Sequence, residues 1–327
     1  MSDMPLVRAD NISMHFQVGS TFLSGKRKTL KAVDNVSLMI HRGETFGLVG
    51  ESGCGKTTLG RLLVRLYEPS EGSLHYDGQN ITALNSRELL PYRRKMQMIF
   101  QDPYASLNPR MTVSTIISEP LLKTQRNQAQ IALRVKELLP LVGLDENHAR
   151  RYPHEFSGGQ RQRIGIARAL AANPEFIVCD EPISALDVSI QAQIVNMLEE
   201  LQERLELTYL FVSHDLSMVR HISHRVGVMY LGNLVEMAPV DELFKHMAHP
   251  YTRALMSSVP IADPDAAANS SRIILQGDVP NPMHPPSGCP FRNRCPVVMP
   301  LCAQEKPALC ETGGGHMVAC HRSVPSG

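Results

Sequence analysis

Residues Gly50, Glu51, Ser52, Gly53, Cys54, Gly55, Lys56, Thr57 and Thr58 match the pattern G-x-x-x-x-G-K-[ST], directly after a short apolar run and at the start of a helical one. Glycines in such a loop let the backbone close around phosphate oxygens, while loop N–H groups and the helix N-terminus point their positive ends at the anion. Lys56 supplies a charge for the β and γ phosphates of a nucleotide, and Thr57 offers a hydroxyl to Mg2+. A second acidic element, "FIVCDEP", sets Asp180 and Glu181 at the end of an apolar strand. There Asp180 can hold the Mg2+ shell and Glu181 can polarise an attacking water.

Between these lies "FSGGQRQRIGIARAL", residues 156–170. Ser157, Gly158, Gly159 and Gln160 open a helix with no strand feeding it, a second phosphate-binding nest that does not look built for the same nucleotide as the first loop. Ser157 is also a good helix cap, and a merely well-capped helix is the plainer alternative. His214, in "VSHD", follows another apolar run; alone it would read as a satisfied core or surface histidine, and that placement favours a functional one.

Five of the seven cysteines, Cys289, Cys295, Cys302, Cys310 and Cys320, crowd into the Pro-rich end of the chain. In a reducing compartment such a cluster points to metal before disulfides. The spacing C-x5-C-x6-C-x17-C of Cys289, Cys295, Cys302 and Cys320 does not choose a metal, since four thiolates suit tetrahedral zinc as well as an iron–sulfur cluster. Cys54 and Cys179 fall inside the phosphate loop and a buried strand and read as packing residues.

Elements able to hold these groups are visible as an alternation. The runs 44–50, 95–100, 175–180 and 208–215 are short, apolar and bounded by polar or turn residues, as buried strands are. Helical patterns separate them; in residues 188–207, Ile190, Ile194, Leu198, Leu201 and Leu205 form one apolar stripe. Strand then helix, repeated, predicts an α/β fold with a mostly parallel sheet covered by helices. "RVGVMYLGNLVEMA" reads as a hairpin about Gly232-Asn233 at the edge of that sheet. Composition shifts near residue 260, where "VPIADPDAAANSSR" resembles a linker, and the Pro- and Cys-rich remainder lacks the apolar pattern of a core of its own.

With 327 residues, 43% hydrophobic and 20% charged, the chain has ample material for one large domain and a smaller one. Its net charge of +1 gives no global pull toward nucleic acid or anionic lipid, and the basic run 25–31 reads as a solvated loop. No stretch approaches the ~20 apolar residues of a membrane-spanning helix, and the first residues lack the apolar core of a signal peptide, so a cytoplasmic protein is expected.

Over residues 5–260 the order of motifs resembles the ATP-binding subunits of ABC transporters: Phe16 where an aromatic stacks on adenine, the loop Gly50 to Thr58, Gln101 in "QMIFQDP", the signature Ser157 to Gln160, Asp180 and Glu181, the D-loop Ser184, Ala185, Leu186 and Asp187, and His214. The resemblance implies a P-loop NTPase-type fold with antiparallel edge strands and a helical subdomain at about 103–172. It also implies ATP and Mg2+ sandwiched between two such domains, Ser157 and Gly159 of one facing the γ phosphate held by Lys56 of the other. Glu181 would be the base, His214 would contact the γ phosphate, and Gln101 would join Thr57 and Asp180 at Mg2+. Phe156 and Phe16 replace the commoner Leu and Tyr, and both keep the apolar bulk or aromatic face.

"QDPYASLNPRMTV" and "HPYTRALMSSVP" look like the dipeptide and oligopeptide importer group, specifically its second ATPase subunit. The implied partners are a second ATPase subunit of different sequence, two membrane permease subunits and an extracytoplasmic solute-binding protein, with the chain peripheral on the cytoplasmic face of the inner membrane. The tail, residues 261–327, resembles that group's extension, which implies a 4Fe-4S cluster on Cys289, Cys295, Cys302 and Cys320, with zinc as the alternative and Cys310 a bystander.

Two other classes compete. A soluble ABC-type ATPase of DNA repair or translation would share the nucleotide motifs, but the coiled-coil or zinc insertions, the tandem domains and the basic stripe of such proteins are absent from this sequence. An iron–sulfur redox protein with a vestigial nucleotide site is opposed by intact Lys56, Asp180, Glu181 and His214.

Overall fold

The computed structural model describes residues 4–18, 28–122, 127–258 and 273–323. The stretch 259–272, which holds the expected linker and domain boundary, lies outside the described residues, as do residues 25–27 of the basic run.

Two sheets form the frame. The first is antiparallel, with β1 (Val7–Val18) between β2 (Lys28–Ile40) and β4 (Glu71–Tyr76), and the two-residue β5 (Gln79–Asn80) beyond β4. In the second, β3 (Thr45–Val49) lies parallel between β8 (Thr208–Val212) and β9 (Arg225–Tyr230), and β8 continues through β7 (Phe176–Asp180) to β6 (Met96–Ile99). Every residue of β3, β7 and β8 is buried, as a parallel strand covered on both faces must be, which is why each reads as an unbroken apolar run.

β9 turns back into β10 (Asn233–Pro239) through Leu231 and Gly232, both at positive φ, the conformation of a tight hairpin turn. The hairpin exists, but it is not at the sheet's edge. The tail strand β12 (His316–Val318) pairs with β10, and β11 (Cys310–Gly313) pairs with β12, so two strands from the end of the chain cover the exposed side of the hairpin. An open strand edge is a template for stray pairing, and here the tail closes it.

Helix α1 (Lys56–Leu63) lies between the two sheets, with Leu59, Leu62 and Leu63 fully buried among residues of β1, β2, β7 and β8. A short α2 (Leu90–Lys95) leads into β6, and from β6 to β7 the chain is mostly helical, with α3 (Pro103–Ser106), α4 (Val113–Ser118), α5 (Gln128–Leu141) and α6 (Gly158–Leu170). Their apolar faces meet one another, with Val113, Ile116, Ile117, Leu138 and Phe156 in a common core. In α7 (Val188–Leu205) the stripe buries Ile194, Leu198 and Leu201, while its ends differ: Ile190 is half-buried and Leu205 exposed. α8 (Leu216–Ile222), α9 (Val240–Lys245) and α10 (Pro250–Met256) complete the cover.

Among the described residues the tail joins the main cores and does not stand apart. Phe291 is 1% exposed and packs edge-on to Tyr230 at 5.3 Å and tilted against Tyr251 at 5.5 Å, joining the main core together with Cys289 and Cys302. No helix among the described residues is long and apolar enough to cross a membrane.

Candidate nucleotide site

β3 ends at Val49 and α1 begins at Lys56, and the loop between them needs its glycines. A Cβ on Gly50 would stand 2.2 Å from the Met229 carbonyl oxygen, and one on Gly55, where φ is 107°, 2.1 Å from the Ala32 carbonyl oxygen. The loop is thus pressed against the β9–β10 hairpin and β2. Lys56 is 5% exposed; its Nζ donates to the carbonyl oxygens of Gly50 at 2.8 Å and Glu51 at 3.1 Å, which ties the ammonium across the loop.

Asp180 closes β7 beside this loop. The Thr57 hydroxyl donates to its Oδ1 at 2.8 Å, and burial pushes the Asp180 carboxyl above the ordinary carboxylate range, with Thr57 and nearby Arg61 and Lys56 opposing the rise. The pair, with the Gln101 amide nearby, is an all-oxygen donor set of the kind a hard cation takes.

Glu181 follows with φ at 45°, a left-handed backbone that a non-glycine residue occupies only under constraint. Its N–H is held by the Val212 carbonyl at 2.9 Å. The side chain lines the cleft, where Oε2 accepts from Gln101 Nε2 at 2.8 Å and lies 3.4 Å from His214 Nδ1. Gln101, Glu181 and His214 come from the ends of β6, β7 and β8, so the parallel sheet itself brings them together.

These groups line one cleft of about 630 Å³, with Phe16 at one side, standing edge-on to Tyr67 at 5.7 Å. Ser52, Gly53, Gly55, Thr57 and Thr58 line the same cleft. Lys31, Ala32, Leu231, Gly232 and Pro282 line it too, and the sequence did not announce them. Lys31 belongs to the basic run read as a solvated loop, and Pro282 arrives from the tail.

Ser157, Gly158, Gly159 and Gln160 are not part of that cleft. Ser157 is exposed and caps α6, exchanging bonds with Gln160 in both directions, 3.0 Å into Gln160 Oε1 and 3.3 Å into Ser157 Oγ. Gly159 packs so closely on α7 that a Cβ would stand 2.6 Å from Ile190 Cγ2. Leu186 reaches Gly158 from the segment Ser184–Asp187, where the Ser184 hydroxyl donates to the Glu181 carbonyl at 3.1 Å. Ala185, Asp187 and Val188 are exposed alongside, so this nest and the D-loop share one open face.

In the tail, four cysteines gather. Burial pushes the Cys289 thiol up to about 11, with Cys302, Cys295 and Cys320 adding to the rise, and Cys295 is raised by burial and then by Cys320 and Cys302. Cys289 N–H donates to the Cys302 carbonyl at 2.8 Å. Cys310 sits at the start of β11. Among the described residues no group of three or more His, Cys, Asp or Glu side chains is set to hold a metal ion. Cys54 and Cys179 are buried, as packing residues would be.

The family model for ABC transporters matches residues 33–184, and that for the oligopeptide/dipeptide transporter C-terminal region matches residues 235–302. The chain is 52% identical to the oligopeptide transport ATP-binding protein AppF of Bacillus subtilis, covering 95% of each. It is 49% identical to the oligopeptide transport ATP-binding protein OppF of Escherichia coli, covering 98% of this chain and 97% of that one. Among solved structures, the dimeric post-hydrolysis state of the ATP-binding cassette MJ0796, bound to ADP and Pi, is similar with a TM-score of 0.64 and 31% identity, over 72% of this chain and 98% of that one.

Proposed function

This chain belongs to the ABC transporter family of ATP-binding proteins, with the oligopeptide/dipeptide transporter C-terminal region, and from that premise we propose that it hydrolyses ATP to power import of di- or oligopeptides through a membrane complex. The carrying observation is the division of the site. Lys56, Thr57 and the Gln101–Glu181–His214 group line one cleft, with Asp180 buried behind Thr57, whereas Ser157 stands exposed on another face. A site split in this way is completed by a second cassette, its Ser157 and Gly159 set against the γ phosphate held by Lys56 of the first.

In that arrangement adenine stacks on Phe16, loop N–H groups cradle the phosphates, and Lys56 neutralises charge on the β and γ phosphates. Thr57, Asp180 and Gln101 would hold Mg2+, which when bound offsets the charge of the triphosphate. Glu181 accepts a hydrogen bond from water and orients its oxygen toward the γ phosphorus. The new P–O bond forms as the bond from the γ phosphorus to the bridging oxygen breaks, the electron pair leaves with ADP, and the water proton passes to Glu181 and on to solvent. His214 donates to the γ phosphate and keeps Glu181 in line.

The finer assignments rest on the same reading. The chain divides at about residue 260 into a cassette with a helical subdomain near 103–172 and an importer-type tail. Its partners are a second ATPase of different sequence, two permease subunits and an extracytoplasmic solute-binding protein, and it sits on the cytoplasmic face of the inner membrane. In the tail, Cys289, Cys295, Cys302 and Cys320 would hold an iron–sulfur cluster, or zinc; the backbone bond from Cys289 to the Cys302 carbonyl and the packing of Cys289, Cys295 and Cys302 at one core support this. Such a group cross-links a segment poor in apolar contacts. Iron, zinc and acid-labile sulfide assayed on anaerobically purified protein decide between them.

The test of the main reading is transport. Reconstituted with its permeases and solute-binding protein in vesicles, the complex should accumulate peptide in step with ATP hydrolysis, and Glu181→Gln should stop both. Hydrolysis indifferent to peptide but stimulated by DNA or ribosomes would favour the repair or translation class instead.

A further inference from the structure

Glu51 is the acidic member of a loop built to receive anions, and the tail neutralises it. Arg294 Nη1 donates to Glu51 Oε2 at 2.8 Å and Nη2 to Oε1 at 3.0 Å, the parallel two-point geometry in which guanidinium and carboxylate pair best. The Arg294 side chain is only 8% exposed, so water screens the pair weakly.

The backbone of Glu51 is held as well. Its N–H donates to the Tyr251 hydroxyl at 2.9 Å, and its carbonyl takes the Lys56 ammonium at 3.1 Å. One residue therefore joins the tail, α10 and the loop lysine. Arg294 itself is fixed from behind: its N–H donates to the Phe291 carbonyl at 3.0 Å, and the Phe291 ring is locked among Tyr230, Tyr251 and His249. A second tail segment, residues 279–282, faces Glu51, Ser52, Gly53 and Cys54 across a cavity of about 250 Å³.

We propose that Arg294 is a positioning residue of the nucleotide site, cancelling the Glu51 charge and holding the loop in the shape that accepts the triphosphate, so that the cysteine-bracketed tail sets ATP affinity. The physical reason is the sign of the alternatives. With Arg294 neutralised, a carboxylate is left unpaired within a loop that must take up several negative charges, and it repels them. Arg294 lies between Cys289 and Cys295, so anything that rearranges those cysteines moves the clamp.

This inference rests on the nucleotide reading of residues 50–58, and the experiment separates the two. Binding of a non-hydrolysable ATP analogue with Mg2+ is titrated calorimetrically on the full chain and on Arg294→Gln, Arg294→Lys, Glu51→Gln, the Glu51→Gln/Arg294→Gln double variant and Lys56→Ala. Arg294→Gln should weaken binding about tenfold, and Arg294→Lys, which keeps the charge and remains informative if the glutamine variant fails to fold, about twofold. Removing the Glu51 charge from Arg294→Gln should recover most of the loss, which a merely structural role of Arg294 would not allow. Wild-type affinity in Arg294→Gln, or a loss that Glu51→Gln does not recover, overturns the inference alone provided Lys56→Ala has lost binding. Undiminished binding in Lys56→Ala overturns the nucleotide reading, and the inference with it.

Discussion

Gln101 Nε2 donates to Glu181 Oε2 at 2.8 Å across the mouth of the cleft, although the two residues are 80 positions apart. The bond ties the end of β6, from which the chain enters the helical segment, to the end of β7, where the carboxylate is presented. A shift of the helical segment that pulls Gln101 away would free Glu181 for water, which gives the membrane partner a physical route to the hydrolytic step.

Replacing that carboxylate isolates the chemical step. Glu181→Gln keeps the size of the side chain but cannot accept a proton, so ATP hydrolysis by the assembled complex should fall by roughly two to four orders of magnitude. Nucleotide binding should persist, because Lys56, Thr57 and Asp180 are untouched. Steady-state hydrolysis and equilibrium binding on the same preparation check the split, and hydrolysis within a fewfold of wild type would remove Glu181 from its role.

The loop makes a sharper steric prediction. Gly55→Ala puts a methyl 2.1 Å from the Ala32 carbonyl oxygen at a φ of 107°, and the neighbouring atom is backbone that cannot swing aside. A loss of about 1–3 kcal/mol in stability is expected, together with loss of ATP binding, since relief of the clash must open the loop. Gly53→Ala is the control: φ is 76° there, but a Cβ meets nothing within 4 Å, so the defect should be smaller. Thermal unfolding of both variants ranks them.

The parallel strands were legible because each of β3, β7 and β8 is a continuous apolar run, and the candidate residues Gly50, Glu181 and His214 follow within two positions of their ends. The hairpin was legible too, but its cover was not. β11 and β12 are four and three residues long in a Gly-rich stretch, too short for period-two alternation to register, and their partner β10 lies some 80 positions earlier. The same distance problem hid the pairing of Arg294 with Glu51, 243 positions apart: Glu51 was legible as a loop position, and Arg294 reads alone as an ordinary surface type. Tyr251 was noticed only as part of a family-like stretch, since nothing local shows that its hydroxyl reaches Glu51.

Phe291 carries the attachment of the tail to the cassette. Phe291→Ala removes a fully buried ring from between Tyr230, Tyr251 and His249 and should cost about 3–5 kcal/mol, concentrated in the docking of residues 273–323. Limited proteolysis should then cut the tail well before the cassette, and hydrogen exchange should rise in β12 and β10 together. Simultaneous loss of both parts would mean that the tail and cassette unfold as one unit.

His249 should give the fold an acid limit. It is 1% exposed, its Nδ1 accepts the Tyr251 N–H at 3.1 Å, and burial pushes its pKa down to about 3 from an ordinary 6.5. With the folded value below the unfolded one, the contribution of this group to stability is complete above the unfolded value and is lost as pH falls from there toward about 3, because the unfolded chain takes up the proton first. Near pH 5 the loss from this one group is about 2 kcal/mol. His249→Asn keeps a side-chain acceptor at the start of α10 and removes the titration. The variant should be the less stable protein near pH 7.5, through lost packing against Phe291, and the gap should narrow or reverse near pH 5. Urea unfolding midpoints at the two pH values measure the gap. A constant gap would mean that His249 takes up its proton equally in the folded and the unfolded chain, and it would remove this histidine as a source of acid sensitivity.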